Sequence, residues 1–302
     1  MDEFGVWAGV GARRGPKVMK QLERKEDTGA LLTCVPTRFD GNCLSREEWK
    51  DHVALRYGRR PTGLPARCDG CGAGFTVEHG LNCKCGGLIG IRHDDQCQEW
   101  AHLNRLSHSN ARVRTEPQIF YGSDVRAGQG TILDSGNGPQ VEGGNQGGRD
   151  GDLGDESRGD VSVHGFWKRG RTAIFDFVVT DTDARSYGNT SSAKVLAQHE
   201  KRKKNKYLEA CQERRRDFTP MVYSVDGVPG KEARAAEKQL ASALARKWGR
   251  LYSEMVAFVR MRMTLACARS VTLCLRGQRA NGWRRAPETG EAAAAAGYIR
   301  ED

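Results

Sequence analysis

Hydrophobic positions along this chain fall into blocks of helical and of strand period, separated by long polar stretches. Residues 1–29 are charged and weakly apolar and read as a frayed start, while the apolar run from Ala30 to Pro36 predicts a buried strand or turn. Ser45 then stands as an N-cap with Glu48 as its reciprocal partner in a capping box, and Leu44 and Trp49 flank it as a hydrophobic staple. That helix is expected to run to Tyr57 and stop at Gly58, with Trp49, Val53 and Tyr57 on the face turned to the core. A second helix opens at Arg92-His93-Asp94-Asp95, carries Trp100, Leu103 and Leu106, and fades at Ser107-His108-Ser109-Asn110. Its two aspartates suit the positive end of a helix dipole. Val113–Pro117 reads as a short strand ending at a proline.

Between residues 122 and 159 the pattern disappears: twelve glycines and few large apolar residues leave too little burial to offset chain entropy, so a flexible insertion is expected. Alternation resumes with strands over Val161–Trp167 and Thr172–Thr180 around a turn at Lys168–Arg171. The hairpin brings Asp160 toward Asp176, although simple counting leaves a stagger of about three residues, roughly 10 Å at strand rise, which a bulge at Gly165 would shorten. Asp176 interrupts an apolar strand, where an ionised carboxylate is costly unless it pairs with an arginine or holds a metal. A basic helix follows from Lys194 to Glu213, with Lys203 and Tyr207 sharing a face. Phe218–Val225 reads as another strand, closed by Asp226-Gly227, and Lys231–Arg276 is helical in pattern. In that last stretch Arg262, Arg269 and Arg276 recur every seven residues, opposite Val256, Cys267, Val271 and Cys274. The stripe either tracks a nucleic-acid backbone or keeps a terminal helix soluble. The alanine run at 292–296 and the tail carry no readable signal.

Composition narrows the setting. A length of 302 residues allows one large domain or two ordinary ones. The net charge of +10 and pI of about 9.2 call for a polyanion, with an anionic membrane surface as the competing partner. No run of 18 apolar residues occurs and the start has no basic region leading into an apolar core, so a soluble intracellular protein, nuclear or cytoplasmic, is expected. Ten cysteines in such a setting argue for metal and reduced thiols over disulfides.

The sharpest chemistry is Cys68-Asp69-Gly70-Cys71, followed by His79 and Cys83. Two residues between the first thiolates let both turn onto one ion, glycines permit the tight backbone, and histidine and cysteine complete a tetrahedral zinc set. Cys85 competes with Cys83 for the last place, and free thiols in a reducing cell are the alternative to metal. Lys201, Lys204 and Lys206 of the basic helix, with Arg262 and Arg269, are the candidate nucleic-acid contacts. His93 suits a structural and a functional role equally.

In order, Cys68, Cys71, His79 and Cys83, then Arg92-His93-Asp94, Asp160, Asp176 and Lys203-Lys204-Asn205-Lys206-Tyr207 resemble the restriction-like endonuclease region at the C-terminal end of certain non-LTR retrotransposon proteins. Leu55-Arg56-Tyr57-Gly58 is similar to the same sequences, and the landmarks span about residues 30–278. The resemblance implies an α+β fold: a PD-(D/E)XK nuclease core, with a mixed sheet flanked by helices, preceded by a small zinc module. The expected division is 1–60, a zinc module at 61–91, a nuclease domain at 92–280 and a tail at 281–302. It also implies DNA cleavage, with structural Zn²⁺ and a catalytic Mg²⁺ held by Asp160 and Asp176.

Departures from the family pattern are specific. Gly159 replaces the usual proline, the fifteen residues between Asp160 and Asp176 are slightly more than usual, and three residues in place of four separate His79 from Cys83. Val178 stands where the usual lysine would, so the resemblance implies a lysine from the next helix, Lys203 first and Lys206 second, with Tyr207 supporting it or touching the backbone. A further acid from the first helix would be Asp95, with Glu116 as the weaker choice. A chain of 302 residues has no polymerase region, so it resembles a piece or relic of a longer reverse-transcriptase polyprotein. DNA is the expected partner, RNA the second, and no membrane is involved. Two alternatives remain open: a non-catalytic, zinc-containing nucleic-acid-binding protein derived from such an element, and an unstable relic.

Overall fold

The structure, a computed structural model, describes residues 42–57, 59–109, 112–119 and 158–280, with Gly29, Leu32 and Pro36 as isolated positions before them. The expected run at 30–36, the helix stop at Gly58, most of the glycine-rich stretch and the tail lie outside the described residues. Helix α1 is Arg46–Arg56, capped as expected: the Ser45 N–H donates to Glu48 Oε2 at 2.6 Å and the Glu48 N–H to Ser45 Oγ at 3.3 Å. Its inward face is the reverse of the expected one. Trp49 and Tyr57 are exposed, whereas Glu48, Asp51 and His52 are buried, because α1 docks through an ion pair from Asp51 rather than through an apolar stripe.

Helix α2 (Val77–Asn82) and a 3-10 turn (Cys85–Gly87) lead into α3 (Leu88–Ser107). Helix α3 starts a turn earlier than the sequence reading. Gly86 and Gly87, at φ 76° and 74°, reverse the chain there, which glycine does without steric penalty. Asp94 and Asp95 therefore sit in the second turn, not at the dipole's positive end. Strands β1 (Val113–Thr115), β2 (Val161–His164) and β3 (Thr172–Thr180) follow, then α4 (Ser192–Glu213), β4 (Arg216–Ser224), α5 (Lys231–Trp248) and α6 (Tyr252–Arg276). The long helical region expected at its end is two helices, parted at Gly249 in the left-handed conformation (φ 62°).

The four strands form one mixed sheet in the order β1-β2-β3-β4, with β4 parallel to β3 and the others antiparallel. The β3-α4-β4 crossover makes the parallel pair. Pro220 is tolerated in mid-strand because β4 is a sheet edge, where its missing N–H breaks no ladder. Alternation divides the two faces. Ala173, Phe175 and Phe177 join Val161, Val163, Trp100 and Leu240 in the main core under α3, α5 and α6. Ile174 turns the other way, onto Tyr207, Cys211 and Phe218, and Val178 onto Leu196 and Val222, both beneath α4. Trp100 packs edge-on to Phe175 at 5.3 Å and Phe166 to Phe175 at 4.9 Å, and each such fully buried side chain stabilises by about 1.5–3 kcal/mol.

The arginine stripe of α6 is a fastening seam. Arg262 grips Glu99 of α3 with two nitrogens at 2.8 and 3.2 Å, Arg269 donates to the Cys43 carbonyl at 2.8 Å, and Arg276 holds Asp51 of α1 with two bonds of 2.6 Å. No helix among the described residues is long and apolar enough to cross a membrane. The nine described cysteines are all free.

Candidate metal centre and acid pair

Among the described residues, two groups bring three or more potential metal ligands within 4.8 Å of one another: Cys68, Cys71, His79 and Cys83, and separately His93, Cys97 and Asp160. In the first group Cys68 Sγ lies 3.8 Å from Cys83 Sγ, Cys83 Sγ 4.0 Å from Cys71 Sγ, and Cys71 Sγ 3.4 Å from His79 Nε2. Sulfurs bound to zinc at about 2.3 Å stand about 3.8 Å apart at the corners of a tetrahedron, so the spacing suits that ion. The cluster could hold a metal such as zinc. Burial opposes ionisation of Cys68, but the N–H groups of Cys71 and Gly70 and the His79 ring lower its pKa to about 6. Cys85 stands outside the ligand group, in the 3-10 turn, and packs against the cluster from one side.

Residues far along the chain lock this small loop onto the helices. The N–H groups of Arg279 and Ala280 donate to Asp69 Oδ2 at 2.7 and 3.3 Å, and the Arg279 guanidinium stacks 5.3 Å from the Phe75 ring while donating to the Gly80 and Cys274 carbonyls. Gly70 and Gly86 are needed for this fit: a Cβ on either would stand 2.7 or 2.5 Å from Arg279. Arg92, buried at the start of α3, ties the loop to the sheet by donating to the Leu81 carbonyl at 3.0 Å and to the Val179 carbonyl of β3 at 3.4 Å.

The second region forms where β2 begins beside the middle of β3. Val161 pairs with Phe175, the Asp160 N–H donates to the Phe175 carbonyl at 3.0 Å, and Asp160 Oδ2 accepts from the Phe177 N–H. The expected three-residue stagger between Asp160 and Asp176 is therefore absent. Strand β2 ends at His164 instead of Trp167, because Gly165 at φ 80° turns the chain out and residues 165–171 form the loop. Gly165 ends the strand and makes no bulge within it.

Around the acids the positive groups come from both helical layers. Lys203 Nζ of α4 stands 2.6 Å from Asp176 Oδ2, at a site where Asp176 is almost fully buried. Val178, two residues along the same face, packs among Leu196, Val222 and Val228, so the ammonium reaches Asp176 from the helix and not from the strand. From α3, His93 Nε2 lies 3.1 Å from Asp160 Oδ2 and its Nδ1 3.1 Å from Asp94 Oδ1, with Cys97 Sγ 3.7 Å away. Burial raises the Asp176 pKa to about 6 even though Lys203 pulls it down, and the Asp160 charge adds to the rise. For His93 burial works against the cation, yet the carboxylates of Asp160 and Asp94 outweigh it and raise the pKa to about 9.

The other sequence-predicted residues are placed as follows. Tyr207 is buried against Ile119, Ile174 and Phe218, one turn beyond Lys203, and the ammoniums of Lys203 and Lys206 lie 5.6 and 5.0 Å from its ring. Lys201 and Lys206 are exposed, whereas Lys204 pairs with Glu232 at 2.5 Å. Of the further acids, Glu116 is exposed and pairs with Arg158 at 3.2 Å. Asp95 lies about 200° around α3 from His93. It stands beside α6, where burial chiefly raises the Cys274 pKa and the Asp95 charge adds to it. The α3 group that meets Asp160 is His93 in place of a third carboxylate, and its i, i+4 spacing with Cys97 was the available signal. Arg262 and Arg269, expected as nucleic-acid contacts, are engaged with Glu99 and the Cys43 carbonyl.

Gly159 sits where its neighbours exclude a proline. Its N–H donates to the Pro117 carbonyl at 2.9 Å and a Cβ there would lie 2.5 Å from Ile174 Cγ2, so a proline would lose the bond and collide with β3. Together with Arg158, which bridges to Gln118, it belongs to the sheet and not to the insertion. Neither a protein-family model nor a curated protein matches this sequence.

Proposed function

We propose that this chain is a metal-dependent DNA endonuclease of retrotransposon origin, with a restriction-endonuclease-like core and a structural zinc module. The observation that carries the reading is the juxtaposition of Asp160 and Asp176 on neighbouring strands with Lys203, from the helix after the second strand, 2.6 Å from Asp176. Binding alone gives no reason to keep a carboxylate buried in an apolar strand.

The donor set fits a hard divalent cation, since both acids offer oxygen, and Lys203 already holds one of them, Asp176 Oδ2, at 2.6 Å. Mg²⁺ bound there would polarise the scissile phosphate and lower the pKa of an attacking water. Asp160 and Asp176 would hold the cation, and Lys203 would neutralise charge developing on the phosphate or orient the water. Tyr207, whose ring lies 5.6 Å from the Lys203 ammonium, would support the lysine. Exposed Lys201 and Lys206 of α4 would meet the DNA backbone, so affinity should fall steeply with salt. The protein would work in the nucleus or cytoplasm, on DNA first and RNA second, and would derive from a longer reverse-transcriptase polyprotein.

One observation favours the binding-only alternative: each acid already has a cation of the chain beside it, His93 for Asp160 and Lys203 for Asp176. Incubating the purified chain with supercoiled plasmid and Mg²⁺ or Mn²⁺ separates the two. Nicking by wild type, with loss of most activity in Lys203→Ala and only a modest loss of binding, supports the nuclease. A folded wild type that binds DNA and nicks nothing leaves the binding-only reading in its place.

A further inference from the structure

Among the described residues, α4 covers the sheet face that carries Ile174 and Asp176 over β3 and β4. Where β1 and β2 continue that face, the described residues enclose a cavity of about 570 Å³. Its lining is basic: Arg112, Arg114 and Arg216 converge on it with His164 and Ser162. Arg112 and Arg114 are exposed, and neither guanidinium has a side-chain partner among the described residues. Arg216 donates to the Gln118 carbonyl at 2.6 Å and His164 Nδ1 lies 3.2 Å from Thr172 Oγ1, so those two are held in place. The one acid on the lining, Glu116, pairs with Arg158.

Register fixes where this cavity lies relative to the acids. Ser162 pairs with Ile174 and His164 with Thr172, so the cavity lies on the Asp176 side of β3, two and four residues along from that acid. At strand rise those steps are about 7 and 13 Å. One strand of duplex DNA carries a charge about every 3.4 Å along the helix axis, so a phosphate over the cavity would be about two to four nucleotides from one held at the acid pair. We propose that Arg112 and Arg114, above this cavity, bind the phosphodiester backbone of DNA that runs on from the acid pair, as a second anchoring surface separate from the lysines of α4. The proposal builds on the nucleic-acid reading of the chain, but it is read out by binding, which does not require cleavage.

The test is the double variant Arg112→Ala/Arg114→Ala in the full chain, with fluorescence anisotropy on a short duplex and on a single strand from 50 to 300 mM KCl. Loss of two contacts should lower affinity several-fold and reduce the slope of log K against log salt by about 1.8 on duplex or about 1.4 on a single strand. Whichever nucleic acid shows the change is the form bound. Arg112→Lys/Arg114→Lys should restore the slope, because the charge is kept. Nicking by wild type is scored separately: its absence ends the nuclease reading, and the binding result still stands or falls alone. An unchanged slope on both nucleic acids, or a lysine variant no better than alanine, would overturn the proposal.

Discussion

The Cys/His cluster and the acid-bearing region of this chain are built in opposite ways. Cys68, Cys71, His79 and Cys83 come from sixteen consecutive residues, and short loops bring them together. The second region draws His93 from α3, Asp160 from the start of β2, Asp176 from the middle of β3 and Lys203 from α4, so strand register and helix packing must all be right before the groups meet. The first is a soft, sulfur-rich set suited to a structural ion; the second is a hard carboxylate pair already flanked by cations of the chain. The local set needs only its own loop to bring the ligands together, with Arg279 locking that loop onto the helices, whereas the distant set is only as good as the fold around it.

That contrast makes Cys83→Ser the most disruptive single change. We expect wild type to carry about one zinc equivalent and Cys83→Ser close to none, with cooperative loss of the loop's structure, because metal binding supplies its folding energy. Cys85→Ser should keep its zinc. Elemental analysis of chelator-free preparations reads both, and zinc loss in Cys85→Ser with retention in Cys83→Ser would reassign the fourth ligand.

Arg92 links the two regions, so Arg92→Met should strand the Leu81 and Val179 carbonyls and destabilise by about 2–3 kcal/mol. Denaturant melts should show it in wild type and variant alike loaded with zinc. An unchanged midpoint would mean that the zinc loop and sheet are not coupled through this side chain. Gly159→Pro tests the register that supports the acids: loss of the bond to Pro117 and the clash with Ile174 should destabilise by roughly 1–3 kcal/mol and leave zinc content unchanged.

A smaller effect comes from α1, outside both regions. Burial, helped by Arg56, lowers the His52 pKa to about 4, below its unfolded value near 6.5. The neutral ring's contribution is present above pH 6.5 and is lost as pH falls toward 4, because the unfolded chain takes up the proton first. Going from pH 7.5 to 5.5 should remove roughly 1 kcal/mol, and His52→Gln should reduce that loss. An equal acid sensitivity in His52→Gln would assign it elsewhere.

How much could be read from the sequence follows the same division. The four-residue Cys/His cluster and the α1 capping box were legible because each is fixed by residues a few positions apart. Strands β1 and β3 and the basic helix followed from periodicity, and Lys203 followed from the family resemblance. The direct approach of Asp160 to Asp176 was not, since it depends on β2 stopping at His164 through the positive φ of Gly165, which counting residues does not reveal. Nor was the role of the α6 arginines. Their seven-residue repeat is the same for a surface stripe and for a seam, and only the partners Glu99, Cys43 and Asp51, at least 163 positions away, decide between them. The buried polar face of α1 escaped the pattern for the same reason: Asp51 is buried because Arg276 is there.

The most direct test of the account compares wild type with Asp176→Asn, measuring zinc content and Mg²⁺-dependent plasmid nicking on the same samples at equal DNA occupancy. Equal zinc, similar DNA affinity, and nicking in wild type that is abolished in the variant are expected, since on the nuclease reading the buried carboxylate would serve chemistry and not the zinc loop or the DNA grip. Equal nicking rates in the two proteins, or no nicking by a folded, zinc-loaded, DNA-binding wild type, would contradict it.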